Sequence, residues 1–95
     1  MFHVEQIEIM QLPTVHLNGT NAKDLLADNL AAWRAVRAAI DVLRAAAPNG
    51  RDYYPQGTEA VGQAIDEHWH RIGRLQSVAD EIEAILKHVQ KEAKK

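Results

Sequence analysis

The sequence predicts an all-α fold in which two long helices form an antiparallel hairpin behind an extended N-terminal arm. Two segments have the residue spacing of amphipathic helices, and a stretch rich in turn-forming residues separates them. The chain has 95 residues, which is the size of one domain. We predict an arm over residues 1–19 and a hairpin over 20–95, with helices at about 21–47 and 58–91 and a loop at 48–57.

The arm shows the alternation that is typical of extended structure. Ile7 and Ile9 alternate with their neighbours before Pro13, and Val15 and Leu17 alternate with polar residues after it. The dipeptide Asn18-Gly19 predicts a turn immediately before the first helix.

The first helix is predicted from its composition and its apolar face. Its body is rich in Ala, Leu and Arg, which have high helix propensity. Thr20 or Asn21 can cap its N-terminus, Asp24 suits its first turn, and Pro48 ends it. One face carries apolar residues three and four positions apart, namely Leu26, Leu30, Trp33, Val36, Ile40 and Leu43.

The second helix carries a heptad-like seam. Thr58 is the predicted N-cap, and basic residues gather near the C-terminus, where the helix dipole favours them. The seam consists of Val61, Ile65, His68, Ile72, Leu75, Ala79, Ile82, Leu86 and Val89. Because His68 lies on this seam, we expect it to be a hydrogen-bonded core histidine that helps to fix the helix register.

A homo-oligomer is predicted because two helices alone bury little apolar surface. Apolar residues also lie outside the two seams, namely Leu25, Val42, Trp69, Val78 and Ile85. A second copy of the chain would cover them, and a dimer forming a four-helix bundle is the minimal solution.

Composition argues against several functional classes. A net charge of −2 is unlike that of proteins that bind long nucleic acids. The chain has no cysteine, which excludes thiol catalysis and Cys-based zinc sites. His68 and His70 are two positions apart and point to different sides of a helix, so we expect no metal site there. We expect no catalytic residues, no cofactor, no membrane segment and a cytoplasmic location.

Two polar segments are candidate ligand sites. Arg51, Tyr53 and Tyr54 lie in the loop, where a guanidinium can bind phosphate and tyrosine rings can stack on a base. The alternative is that the tyrosines plug the end of the bundle while Arg51 pairs with Asp52.

The second segment precedes the first helix and comprises His16, Asn18, Thr20 and Lys23. These groups suit an anion at a helix N-terminus, and ordinary capping with a solvated lysine is the alternative. In a hairpin the two segments lie at opposite ends, roughly 35–40 Å apart. They would cooperate only across an antiparallel contact between two protomers.

Several arginines lie within the predicted helices. Arg37 and Arg44 are one heptad apart near the seam, and we favour interhelical ion pairs for them over an anion pocket. The acidic residues available as partners are Glu67, Asp80 and Glu83. Glu67 and Arg71 are also spaced for an ion pair within one helix.

The segments LPTVHLNGT and APNGRDYYPQG resemble those of small helical-hairpin proteins encoded by bacteriophages and prophages. The architecture is also similar to that of phage sponge proteins, which sequester nucleotide second messengers of antiviral defence. This resemblance implies a non-enzymatic accessory protein in the host cytoplasm that binds a small nucleotide-type anion between protomers. The alternative function is a structural module that docks on a host or virion protein.

Overall fold

The computed structural model describes residues 10–94, which form two packed antiparallel helices. Helix α1 spans Ala22–Ala45 and helix α2 spans Ala60–Ala93. Two short 3-10 turns, Gly50–Asp52 and Tyr54–Gln56, lie between them. No strand occurs within residues 10–94, so the all-helical hairpin is confirmed there. The predicted alternation around Ile7 and Ile9 lies outside the described residues.

Helix α1 begins with a side-chain cap and ends two residues earlier than predicted. The Asn21 Oδ1 accepts a hydrogen bond from the Asp24 N–H at 2.8 Å. At the other end, the Ala46 N–H donates to the carbonyls of Val42 and Leu43. Pro48 disfavours helical geometry at the residue before it, which explains why α1 stops before Ala47.

Helix α2 begins two residues later and ends two residues later than predicted. Its N-cap is Glu59 and makes no side-chain capping bond, so the expected Thr58 cap is wrong. Thr58 instead lies in a turn that follows Gly57, whose φ of 115° is a conformation that favours glycine. No proline interrupts α2, so the helix continues to Ala93.

The core is small and lies along the predicted seams. The buried apolar residues among residues 10–94 are Ile40, Ile72, Ala79 and Val89. All other predicted seam positions except His68 are half-buried, which confirms the faces on which the two helices meet.

His68 is buried in this core and bonded on both ring nitrogens, as expected. Its Nε2 contacts the Leu43 carbonyl in the last turn of α1. The carbonyl can only accept, so Nε2 carries the proton. The Arg71 guanidinium donates to Nδ1 at 3.0 Å. The imidazole therefore joins α2 to the Leu43 carbonyl in the last turn of α1.

The expected interhelical ion pairs of the arginines are wrong in detail. Arg37 donates to the Gln76 Oε1 at 3.0 Å, and the Gln76 amide donates to Asp80 at 2.9 Å. The neutral amide of Gln76 thus links Arg37 to Asp80 in place of the direct ion pair that we predicted. Arg37 also lies over the Trp33 ring, 5.9 Å from its centroid.

Two other charged groups also differ from expectation. Arg44 is exposed, and its side chain makes no hydrogen bond or ion pair within residues 10–94. Glu67 accepts a hydrogen bond from Gln63 at 3.2 Å, whereas Arg71 donates to the core histidine. Both potential partners are therefore occupied elsewhere, and the predicted pair between Glu67 and Arg71 does not form.

The hairpin is long and thin. Its radius of gyration is 18.4 Å, whereas a compact chain of this length has about 12 Å. Its accessible surface is 7069 Å², roughly 1,600 Å² more than the about 5,500 Å² of a compact monomer of this mass. Neither α1 nor α2 combines the length and apolar character needed to cross a bilayer. The surface in contact with water includes the large apolar side chains of Leu17, Val42, Trp69 and Val78.

Candidate functional site

The polar segment before α1 forms a tight turn. The Gly19 N–H donates to the His16 carbonyl at 3.1 Å, which confirms the predicted turn. A Cβ at Gly19 would lie 2.7 Å from the His16 Nε2, so a larger residue at this position would have to displace the exposed ring. The predicted site residues His16, Asn18, Thr20 and Lys23 are all exposed. The turn therefore presents polar groups to solvent without enclosing a pocket.

A contact with α2 holds the arm in place. The His88 Nε2 donates to the Pro13 carbonyl at 2.8 Å. Leu12, Pro13 and Val15 are half-buried, whereas Leu17 is 98% exposed. The arm thus packs against the C-terminal part of α2 as far as Val15, and the turn projects beyond it.

The loop between the helices is built from two 3-10 turns. The Asn49 side chain accepts a hydrogen bond from the Arg51 N–H at 3.0 Å and so caps the first turn. Arg51 is exposed, and its guanidinium has no partner within residues 10–94. The loop therefore presents a free guanidinium, and the alternative pairing of Arg51 with Asp52 does not form.

The two loop tyrosines have different surroundings. Tyr53 is half-buried and lines a hollow beside Gln63 and Glu67 on α2, whereas Tyr54 is 74% exposed. The end-plug alternative thus describes Tyr53 but not Tyr54. Only Tyr54 is fully available to a ligand or partner.

The two polar segments lie at opposite ends of the hairpin. Helix α1 has 24 residues and separates them by about 36 Å. One chain therefore does not bring Lys23 near Arg51.

The surface hollows lack a concentration of positive charge. The hollow at the start of α2 is lined by Thr58 and Glu59, without Arg51 or Lys23. A second hollow on α2 contains Asp80, Glu83 and one cation, Lys87, which pairs with Glu83 at 3.0 Å. Within residues 10–94, no group of three or more His, Asp or Glu side chains is placed to hold a metal ion. The charges that line these two hollows therefore do not favour phosphate binding.

An aromatic notch on α2 was not among the predicted sites. Trp69 is 53% exposed and lines a shallow hollow together with His70, Gly73, Arg74 and Ser77. Gly73 has nothing within 4 Å of its missing Cβ, so the surface beside the indole is open. The position of Trp69 outside the seam was the signal in the sequence for this surface.

Comparisons with models of protein families, with characterised proteins and with solved structures find no match to this chain.

Proposed function

We propose that this protein is a non-enzymatic accessory module that acts through protein–protein contacts, with copies of itself and with a further protein. The observation that carries this proposal is the mismatch between a core of four buried apolar residues within residues 10–94 and the excess of exposed surface. Monomeric soluble proteins rarely leave large contiguous apolar patches in water, and such patches mark interaction sites. The phage origin implied by the LPTVHLNGT and APNGRDYYPQG segments is part of the same proposal.

The Trp69 notch is the surface that best fits the further protein. Tryptophan and arginine are enriched among the residues that dominate binding energy, and Trp69 and Arg74 both line this hollow. The gap above Gly73 gives an incoming side chain access to the face of the indole. A partner with an apolar side chain next to a carboxylate would complement the ring and Arg74.

The test compares the proteins captured by two variants of α2. Trp69→Ala removes the indole, and Gln90→Ala changes an exposed residue of the same helix that lies outside this hollow. We expect the wild type and Gln90→Ala to retain one stoichiometric partner from infected-cell extract, and Trp69→Ala to lose it. Equal capture by all three proteins, or capture of none, would refute the proposal for this surface.

A second function, sequestration of a small nucleotide-type anion, is favoured by the unpaired groups at the two ends. Arg51 and Lys23 have no side-chain partner within residues 10–94, and Tyr54 is exposed. In this version Arg51 and Lys23 bind phosphate and the tyrosines stack on a base. His16, Asn18 and Thr20 then contact the polar edges of the ligand.

Calorimetric titration with cyclic di- and trinucleotides tests this second function. We expect Arg51→Ala and Tyr54→Ala to abolish binding. Arg44→Ala, which removes an exposed arginine from the last turn of α1, should leave binding unchanged. If no nucleotide of the panel binds, or if all variants bind with equal affinity, this second function is excluded.

A further inference from the structure

We propose that two copies of the chain dock through the exposed side of α1, antiparallel to each other, with Arg34 of each copy facing Asp41 of the other. The inference deepens the proposed function because it names the surface of self-association and its register. It rests on the part of that function that has the chain act together with copies of itself.

The docking surface is an alanine face on the side of α1 away from α2. Ile40 points into the core, and residues about half a helical turn away from it point to solvent. Val42 is 68% exposed on this side. The face consists of Ala31, Ala35, Ala38, Val42 and Ala45, all exposed and spaced four and three apart. This spacing is that of a helix-packing seam, and the small side chains permit close approach of a second helix.

The occupant that fits this face is a second α1. The chain exposes roughly 1,600 Å² more than a compact monomer of its mass, and a stable interface needs about 800 Å² from each partner. The surplus over the whole chain is thus larger than the area that one side of such an interface covers. A flat row of alanines also matches a second row of alanines, because neither side presents a protruding side chain.

Charges at one edge of the alanine face select the antiparallel orientation. Arg34 and Asp41 are exposed, lie two turns apart on this edge, and have no partner within residues 10–94. In a parallel pair this edge would lie against the opposite edge of the second helix, which carries Ala32 and Ala39, and neither charge would gain a partner. In an antiparallel pair Arg34 of each copy faces Asp41 of the other. The two-fold axis of the dimer relates these two ion pairs.

The same register fixes which residues of the face meet. With Arg34 opposite the second copy's Asp41, Ala35 lies opposite Ala38 and Ala31 lies opposite Val42. Val42 of each copy then packs against Ala31 of the other, which gives two equivalent layers of side chains. Because each α2 stays on the outer side of its own α1, the four helices form a flat row, unlike the closed bundle that we predicted from the sequence.

This register also joins the two polar segments. The first turn of α1, with Lys23, becomes level with the residues that follow the second copy's α1, including Arg51. The separation of about 36 Å along the helix axis within one chain is thereby removed across the dimer. The anion site of the second proposed function is thus incomplete without the second copy.

Disulfide cross-linking tests the register directly, since the chain has no cysteine of its own. The variant Ala31→Cys/Val42→Cys places one cysteine pair in each of the two equivalent layers. Within one chain these positions lie about 16 Å apart along α1, so only a second copy can complete the bond. We expect mild oxidation to yield a covalent dimer.

Shifted and single variants serve as controls. Ala27→Cys/Val42→Cys uses the same face one turn out of register, and each single variant lacks its opposite cysteine. We expect these proteins to remain monomers in a denaturing gel. Equal cross-linking of the shifted pair, or none in the predicted pair, would overturn the register.

Charge exchange tests the orientation without cysteines. Arg34→Asp and Asp41→Arg should each raise the dimer dissociation constant by about tenfold, and the double exchange should restore it. Lys91→Asp on α2 is the control, because it exchanges an exposed cation that lies outside both proposed surfaces, and it should leave the dissociation constant unchanged. Sedimentation velocity at micromolar concentration measures the constants, with circular dichroism to verify that each variant is helical.

The outcomes separate the two proposals. A strictly monomeric wild type, or a double exchange no better than the single ones, would overturn the α1 interface. If the chain dimerises in the predicted register but captures its partner without Trp69, the α1 interface stands. The proposed docking surface at Trp69 is then refuted.

Discussion

Replacing His68 with alanine should destabilise the hairpin far more than the same change at His70. His68 is buried and bonds to Leu43 and Arg71, whereas His70 is exposed on the same helix. Because both changes convert histidine to alanine in α2, the gain in helix propensity is the same in both variants. The difference between them therefore measures the contacts of the buried ring.

The magnitude of this difference follows from two losses. The hydrogen bond to the Leu43 carbonyl contributes about 1 kcal/mol, and the carbonyl retains its bond from the Ala46 N–H at 3.0 Å. The cavity left by the imidazole adds about 1 kcal/mol or more. A total of about 2 kcal/mol lowers the melting temperature of a chain of this size by roughly 10 °C.

Thermal unfolding followed by circular dichroism is the assay, with all proteins at one concentration because self-association shifts the midpoint. His68→Gln keeps an amide donor and should recover part of the loss. Equal melting temperatures for His68→Ala and His70→Ala would refute the assignment of His68 as the link between the helix ends.

Three further changes have defined expectations in urea or thermal denaturation. Gly57→Ala should cost about 1 kcal/mol or more because φ is 115° there, whereas Gly50→Ala, without that conformation, should be near neutral. Asn21→Ala should cost about 1 kcal/mol through loss of the α1 cap. Ile40→Ala should cost about 2–5 kcal/mol because the side chain is fully buried, and a smaller loss would mean that the core collapses around the change.

The hairpin was predictable from the sequence because apolar spacing reports directly on the side of a helix that packs. The seam through Ile40 on α1 and through Ile72, Ala79 and Val89 on α2 is buried as the pattern indicates. The core role of His68 followed from its place on that seam. These features depend on periodicity within each helix, which the sequence contains in full.

Contacts between segments distant in sequence were not predictable in the same way. The bond between Pro13 and His88 depends on how the arm crosses α2, which no local pattern encodes. The relay from Arg37 through Gln76 depends on side-chain lengths across two helices, and charge pairing alone suggested an acidic partner. The exposure of Tyr54 next to the half-buried Tyr53 follows from the 3-10 turns, whose boundaries the loop composition did not fix.

The narrow cross-section of the hairpin, 24 × 17 Å against a length of 61 Å, leaves few positions where neighbours enclose a side chain on every side. Substitutions elsewhere along the helices meet solvent and cost little, so sequence drift is tolerated at most helical sites. Related chains would therefore preserve spacing, small residues and loop geometry more than residue identity. Searches for them should weight the periodic pattern, the turn at Gly19 and the glycine at position 57 above overall sequence identity.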